Sequence, residues 1–159
     1  MAKTIGILTG GGDVPGLNPA IKSVAMNAFD EGYKMVGIRR GWGGLLQYNL
    51  DEPSTYEYYV KDLTKDDVRT VDRSGGTFLH TSRTNPQKVR QADIPGFLKN
   101  SSLGKKIDDE GTMDYTDHIM RVLEHLGIDV LVTIGGDDTL SFSVRLNKEG
   151  FPIVGIPKT

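Results

Sequence analysis

The passage from Thr4 to Arg39 restricts the fold more than any other part of the sequence. Thr4-Ile-Gly-Ile-Leu-Thr9 is a short apolar run that ends in Gly10-Gly11-Gly12, and its length and flanking glycines read as a strand buried on both faces. After the glycine turn, Asn18 reads as an N-cap and Pro19 as the first helical residue. Ile21, Val24, Ala25 and Ala28 then fall on one helical face, and Gly32 supplies a stop. Lys34–Arg39, with Met35, Val36 and Ile38, reads as a second strand. Strand, glycine turn, helix and strand form a βαβ unit, whose strands run parallel with a right-handed crossover.

The same pattern returns near the other end. Ile119, Val122, Leu123 and Leu126 recur at helical spacing across 114–126, closed by Gly127. Asp129–Ile134 reads as a strand, and Gly135-Gly136-Asp137-Asp138-Thr139 opens a helix that runs to Lys148 and closes at Gly150. Phe151–Ile156 reads as a further strand. This alternation predicts an α/β fold with a doubly wound, mostly parallel, Rossmann-like sheet. Residues 85–112 differ: they are polar, carry mixed charge and are punctuated by Pro86, Pro95, Gly96 and Gly104. They are expected to form a surface excursion or lid, mobile on its own. With no internal repeat and no sign of a second core, residues 1–159 read as a single domain.

Composition narrows the function. Twenty glycines in 159 residues are about 13%, against a background of roughly 7%. They gather as Gly10-Gly11-Gly12 with Gly16, Gly41 with Gly43-Gly44, Gly75-Gly76, and Gly135-Gly136. A net charge of −2 gives no basic field for nucleic acid. The absence of cysteine excludes disulfides, thiolate metal sites and a cysteine nucleophile. No apolar stretch approaches the roughly 18–20 residues of a membrane span, and the N-terminus lacks signal-peptide architecture. A soluble, cytoplasmic protein without a membrane partner is the expectation.

Three glycine clusters follow strands, so in a parallel sheet their turns meet along one edge, where ligands of such folds bind. Glycine lets backbone N–H groups approach phosphate oxygens, and the following helix N-terminus adds a favourable dipole. Gly11, Gly12 and Gly136 are the candidate phosphate contacts. Each cluster alone reads equally well as a tight βα turn; several on one edge favour a polyphosphate site. Pro15 within the first turn and Arg39-Arg40 at the end of the second strand depart from a dinucleotide fingerprint, and no Walker lysine follows. Asp137 and Asp138 are adjacent carboxylates at a strand end and suit Mg2+, which takes one or two carboxylates plus substrate phosphates. A helix cap beside a solvated acid is the competing reading. Arg83 and Lys158 would place positive charge beside transferring phosphates, where electrostatic stabilisation is most of the catalysis.

Four ordered motifs resemble the 6-phosphofructokinases: Gly-Gly-Asp-x-Pro-Gly-x-Asn at 11–18, Gly-Gly-Thr-Phe-Leu at 75–79 with Thr-Ser-Arg at 81–83, Ile-Gly-Gly-Asp-Asp-Thr at 134–139, and Pro-Lys-Thr at 157–159. The resemblance implies phosphoryl transfer to the 1-hydroxyl of fructose 6-phosphate, in glycolysis. It assigns Gly12 to the phosphoryl donor, Arg83 to the donor phosphates and Asp137 to Mg2+, and it makes Thr159 the start of the sugar-phosphate segment. Two positions resemble the pyrophosphate-dependent branch. Asp138 stands where ATP-dependent members carry glycine, and its side chain would intrude on and repel the α-phosphate of ATP. Lys158 stands where bacterial ATP enzymes commonly carry glycine, and its ammonium can neutralise pyrophosphate and the leaving phosphate. Asp138 and Lys158 are therefore the expected catalytic positions, with inorganic pyrophosphate as donor and ATP as the alternative.

In the family, the segment after Pro-x-Thr carries an Asp that acts as general base. Here the sequence ends at Thr159, so the resemblance predicts a donor-binding part that is inactive alone and homo-oligomeric when full length. A non-catalytic phosphate-binding or regulatory subunit is a further alternative. Lipid and NAD kinases share a turn like 134–139 but leave 11–18 and 75–83 unexplained. His118 and His125 read as surface or packing residues, and His80 as a residue near Arg83 within reach of a ligand. Trp42 reads as a loop anchor, and Tyr56, Tyr58 and Tyr59 as part of a packed amphipathic segment.

Overall fold

The computed structural model describes residues 1–159. In chain order the elements are β1 (Thr4–Thr9), α1 (Leu17–Asp30), β2 (Lys34–Ile38), α2 (Gly41–Gln47), α3 (Thr55–Tyr59), β3 (Val60–Leu63) and α4 (Lys65–Val68). Then follow β4 (Lys105–Lys106), β5 (Met113–Asp114), α5 (Thr116–His125), β6 (Val130–Gly135), α6 (Asp137–Lys148) and β7 (Ile153–Pro157). The main sheet has the order β3-β2-β1-β6-β7. β1 pairs parallel with β2 and with β6, and β6 with β7, whereas β3 pairs antiparallel on β2. The doubly wound α/β architecture expected from the strand and helix alternation is thus present, with an antiparallel edge strand added.

Alternation along the strands sends side chains to both faces. Ile7 of β1 and Val132 of β6 join Leu17, Ile21, Ala25 and Ala28 of α1 in one core. Leu8 and Leu131 join Trp42 and Leu45 of α2, Ile119 and Leu123 of α5, and Phe142 and Leu146 of α6 in the other. Each fully buried Leu, Ile or Phe contributes roughly 1.5–3 kcal/mol, so neither face can be left uncovered.

Four details depart from the sequence reading. Asn18 is not an N-cap: α1 begins at Leu17 after Gly16, without a side-chain cap, and the Asn18 side chain turns to the 74–78 loop. Gly41-Trp42-Gly43-Gly44 is helix, not an open turn, and at Gly41 and Gly44 its backbone passes too close to the ends of β1 and β2 for a side chain. A Cβ on Gly41 would sit 2.5 Å from the Thr9 carbonyl oxygen, and one on Gly44 would overlap the Arg39 carbonyl oxygen. β3, with Lys61 and Asp62 at its centre, has too short an apolar pattern to be read from sequence. Residues 85–112 have a buried inner side: Val89, Ile94 and Leu98 join the larger core, and Val89 exchanges backbone hydrogen bonds of 2.8 and 2.9 Å with Met113.

No helix is long and apolar enough to cross a membrane.

Candidate functional site

The chain leaves β1 towards β2 on one side and leaves β6 towards β7 on the other. Adjacent parallel strands whose connections diverge open a crevice at their carboxyl ends, the usual ligand position in such sheets. A cleft of about 420 Å3 lies there, lined by Gly11, Gly12, Ser82, Arg83, Thr84, Gly136, Asp137, Asp138, Thr139 and Lys158. No lining residue is hydrophobic.

Local chemistry builds each wall. The Gly10 N–H donates to Ile134 O at 2.9 Å and so continues the β1–β6 pairing into the turn. Thr139, 4% exposed, wedges between the two glycine turns: a Cβ on Gly135 would lie 2.6 Å from its Cβ, and one on Gly10 would overlap its hydroxyl. Gly10 and Gly135 are therefore packing glycines. Gly11, at φ +79°, adopts a conformation that side chains disfavour. Gly12 has open space where a Cβ would be, which leaves its backbone accessible to a ligand.

The Lys158 N–H donates to Gly135 O at 3.0 Å, extending β7 alongside β6. Its Nζ lies 3.3 Å from where a Cβ on Gly11 would be, so the ammonium reaches over the first glycine turn. Asp137 and Asp138 open α6, and both are exposed. None of Arg83, Asp137, Asp138 or Lys158 is engaged in an ion pair. Their charges are consequently available to a ligand.

Of the residues singled out from sequence, Gly11, Gly12, Arg83, Gly136, Asp137, Asp138 and Lys158 share this cleft, whereas Thr159 is exposed beside it and is not a lining residue. His80 is exposed and outside the lining; its carbonyl accepts a hydrogen bond from Thr9 Oγ1 at 3.0 Å. Trp42 is not a loop anchor but a core residue of α2. Its Nε1 donates to Thr139 O at 3.1 Å, and its ring meets Phe142 edge-on at 4.7 Å. Ser82, Thr84 and Thr139 also line the cleft. Ser82 and Thr139 belong to the motifs at 81–83 and 134–139, whereas the sequence signal of Thr84 is only its place beside Arg83. No group of three His, Cys, Asp or Glu side chains gathers anywhere in the chain. Any cation held here would draw on Asp137 and Asp138 and on oxygens of its ligand.

A second cavity, about 760 Å3, adjoins the cleft through Ser82, Arg83 and Thr84. Arg40, Lys88 and Arg90 line it together with Leu46, Tyr59, Val89 and Ile94.

A doubly wound sheet with a glycine-walled, wholly polar cleft at its switch point defines an α/β protein suited to binding phosphate groups. Residues 4–159 match the phosphofructokinase family model, and the chain belongs to that family. It is 36% identical over 155 residues to a pyrophosphate–fructose 6-phosphate 1-phosphotransferase of Dictyoglomus thermophilum, covering 98% of this chain and 35% of that protein. An ATP-dependent 6-phosphofructokinase of Serratia proteamaculans is 36% identical over 159 residues, covering 100% of this chain and 39% of that protein. The crystal structure of Pichia pastoris phosphofructokinase in the T-state superposes with a TM-score of 0.71 at 25% identity, over 100% of this chain and 16% of the other. The chain thus spans little more than a third of the length of these curated relatives.

Proposed function

We propose that this chain is the donor-binding part of a phosphotransferase that moves a phosphoryl group from inorganic pyrophosphate to the 1-hydroxyl of fructose 6-phosphate. The P–O bond to the leaving phosphate breaks as the bond to the sugar oxygen forms, giving fructose 1,6-bisphosphate and orthophosphate. The observation that carries the donor choice is the joint presence of Asp138 and Lys158 in one small polar cleft. The Asp138 carboxylate adds bulk and negative charge where a third, nucleoside-bearing phosphate would extend. The Lys158 ammonium, held against Gly11, supplies charge to a short anion.

In this reading Gly11, Gly12 and Gly136 let backbone approach the phosphates, Arg83 pairs with their oxygens, and Thr159 begins the sugar-phosphate side. Two adjacent unpaired carboxylates fit Mg2+, with Asp137 the principal ligand, because that ion completes its shell with phosphate and water oxygens. Bound there, it would neutralise charge on the transferring phosphates. Asp137 and Asp138 are the only acids lining the cleft. They face the donor, so the base for the sugar hydroxyl is assigned to no residue of this chain.

ATP is the second reading, and the adjoining 760 Å3 cavity favours it by offering room for a nucleoside. Calorimetric titration with magnesium pyrophosphate and with MgATP separates the two. Pyrophosphate is expected to bind at least about tenfold more tightly, a difference of roughly 1.4 kcal/mol, and Asp138→Gly to narrow that gap by strengthening ATP binding. Tighter binding of ATP, unchanged in Asp138→Gly, would reject pyrophosphate as donor.

A further inference from the structure

Arg83 has no hydrogen bond or ion pair of its own, so the place of its guanidinium depends on the backbone that carries it. The segment leading to that backbone is fastened at its start by a residue that does not line the cleft. Asn18, in the first turn of α1, is 2% exposed and spends its whole side-chain amide on the 74–78 loop. Its Nδ2 donates to Ser74 O at 3.1 Å and Gly75 O at 3.4 Å, and the Phe78 N–H donates to its Oδ1 at 2.8 Å. Its own N–H donates to Gly76 O at 3.0 Å.

From there the segment is tied at intervals to residues at and just beyond the ends of β1 and β2. The Thr77 hydroxyl shares a hydrogen bond of 3.0 Å with the Thr9 hydroxyl, and Arg40 N–H donates to Leu79 O at 2.8 Å. Ser82 then accepts from Gly11 N–H at its carbonyl, 3.1 Å, and from Gly43 N–H at its hydroxyl, 3.0 Å. The next residue is Arg83. One end of this fastened segment is the Asn18 latch and the other is a cleft cation.

We propose that Asn18 is a positioning residue for donor binding that acts through Arg83. The inference rests on the reading of Arg83 as a donor-phosphate contact. Misplacing a charged group by about 1 Å is enough to cost much of its effect, and a latch with every polar atom paired sets that placement.

A double-mutant cycle tests it, with magnesium pyrophosphate binding to the chain measured by calorimetry. Arg83→Ala is expected to weaken binding about 10–100-fold, the range for a lost hydrogen bond to a charged group. Asn18→Asp keeps the acceptor for Phe78 N–H and loses both donated bonds. It is expected to weaken binding about 5–20-fold in the wild-type background and less than about twofold once Arg83 is alanine. Equal losses in both backgrounds would mean a general structural role and overturn the proposal. Unchanged binding by Arg83→Ala alone would instead remove the donor reading, and the relay with it.

A measurement on the unaltered chain guards against variants that fail to fold. Saturating magnesium pyrophosphate should slow hydrogen exchange of the Phe78 amide several-fold, because coupling between latch and ligand is reciprocal. Tight pyrophosphate binding with unchanged Phe78 exchange would overturn the relay and leave the donor reading standing.

Discussion

Glycines of this chain divide by what stands where their side chain would be. At Gly44 that position overlaps the Arg39 carbonyl oxygen, a backbone atom that cannot move aside. At Gly12 nothing lies within 4 Å. The two residues should respond oppositely to the same methyl group. Gly44→Ala is expected to lower stability by about 1–3 kcal/mol through overpacking, with pyrophosphate affinity of the folded fraction little altered. Gly12→Ala is expected to leave stability within about 0.5 kcal/mol and to weaken pyrophosphate binding about tenfold, since a phosphate could no longer approach the backbone. Urea unfolding paired with calorimetric titration checks both. A Gly12→Ala variant that binds normally would remove the first glycine turn from the site.

At the scale of elements, α5 carries a group with a pH consequence. His118 is 1% exposed, tilts against Phe97 with 5.7 Å between ring centroids, and lies near the Leu45, Leu46 and Tyr48 carbonyls at the end of α2. Neither ring nitrogen makes a hydrogen bond. Burial pushes its pKa below the usual 6.5. The unfolded chain therefore takes up a proton near pH 6.5 that the folded chain still refuses, and stability is full above that pH and declines as pH falls below it. Urea midpoints at pH 7.5 and 5.5 should differ in the wild type and converge in His118→Phe. Equal slopes in the two proteins would assign the acid sensitivity elsewhere. Asp67, whose carboxyl is lowered mainly by its hydrogen bond with Lys61, titrates well below this window.

Elements also show what could and could not be read from sequence. The short apolar runs of β1 and β6 and the glycines after them located two strands, their turns and the cleft, because a strand buried on both faces is a continuous apolar stretch whose short length and closing glycines set it apart from a helix. β3 escaped because two of its four residues are charged and it borrows its order from β2. Asn18 departs from its sequence reading for a related reason: its local preference is to cap a helix, but the 74–78 loop, more than fifty residues away in sequence, offers its amide a full set of partners. Local chemistry fixes the turn; the partner that wins a polar side chain is decided by the fold.

At the scale of the whole molecule, the cleft is a place where three separate stretches, 11–12, 82–84 and 136–139, are brought together with Lys158. A ligand that bridges them must stabilise the native sheet against unfolding, because the unfolded chain holds no such arrangement. At a free concentration about 100 times its Kd, a ligand selective for the native state adds about 2.7 kcal/mol. For a chain of this size that raises the melting temperature by roughly 5–10 °C. Magnesium pyrophosphate is expected to produce such a rise, and chelation of Mg2+ to remove most of it, since the negative charges of pyrophosphate would then face Asp137 and Asp138 without a cation between them. Orthophosphate, with one phosphate group in place of two and so fewer charged oxygens for Arg83 and Lys158 to share, should produce a much smaller shift at the same concentration. A rise that survives chelation undiminished would separate pyrophosphate binding from the two carboxylates and leave Asp137 without its assigned ion.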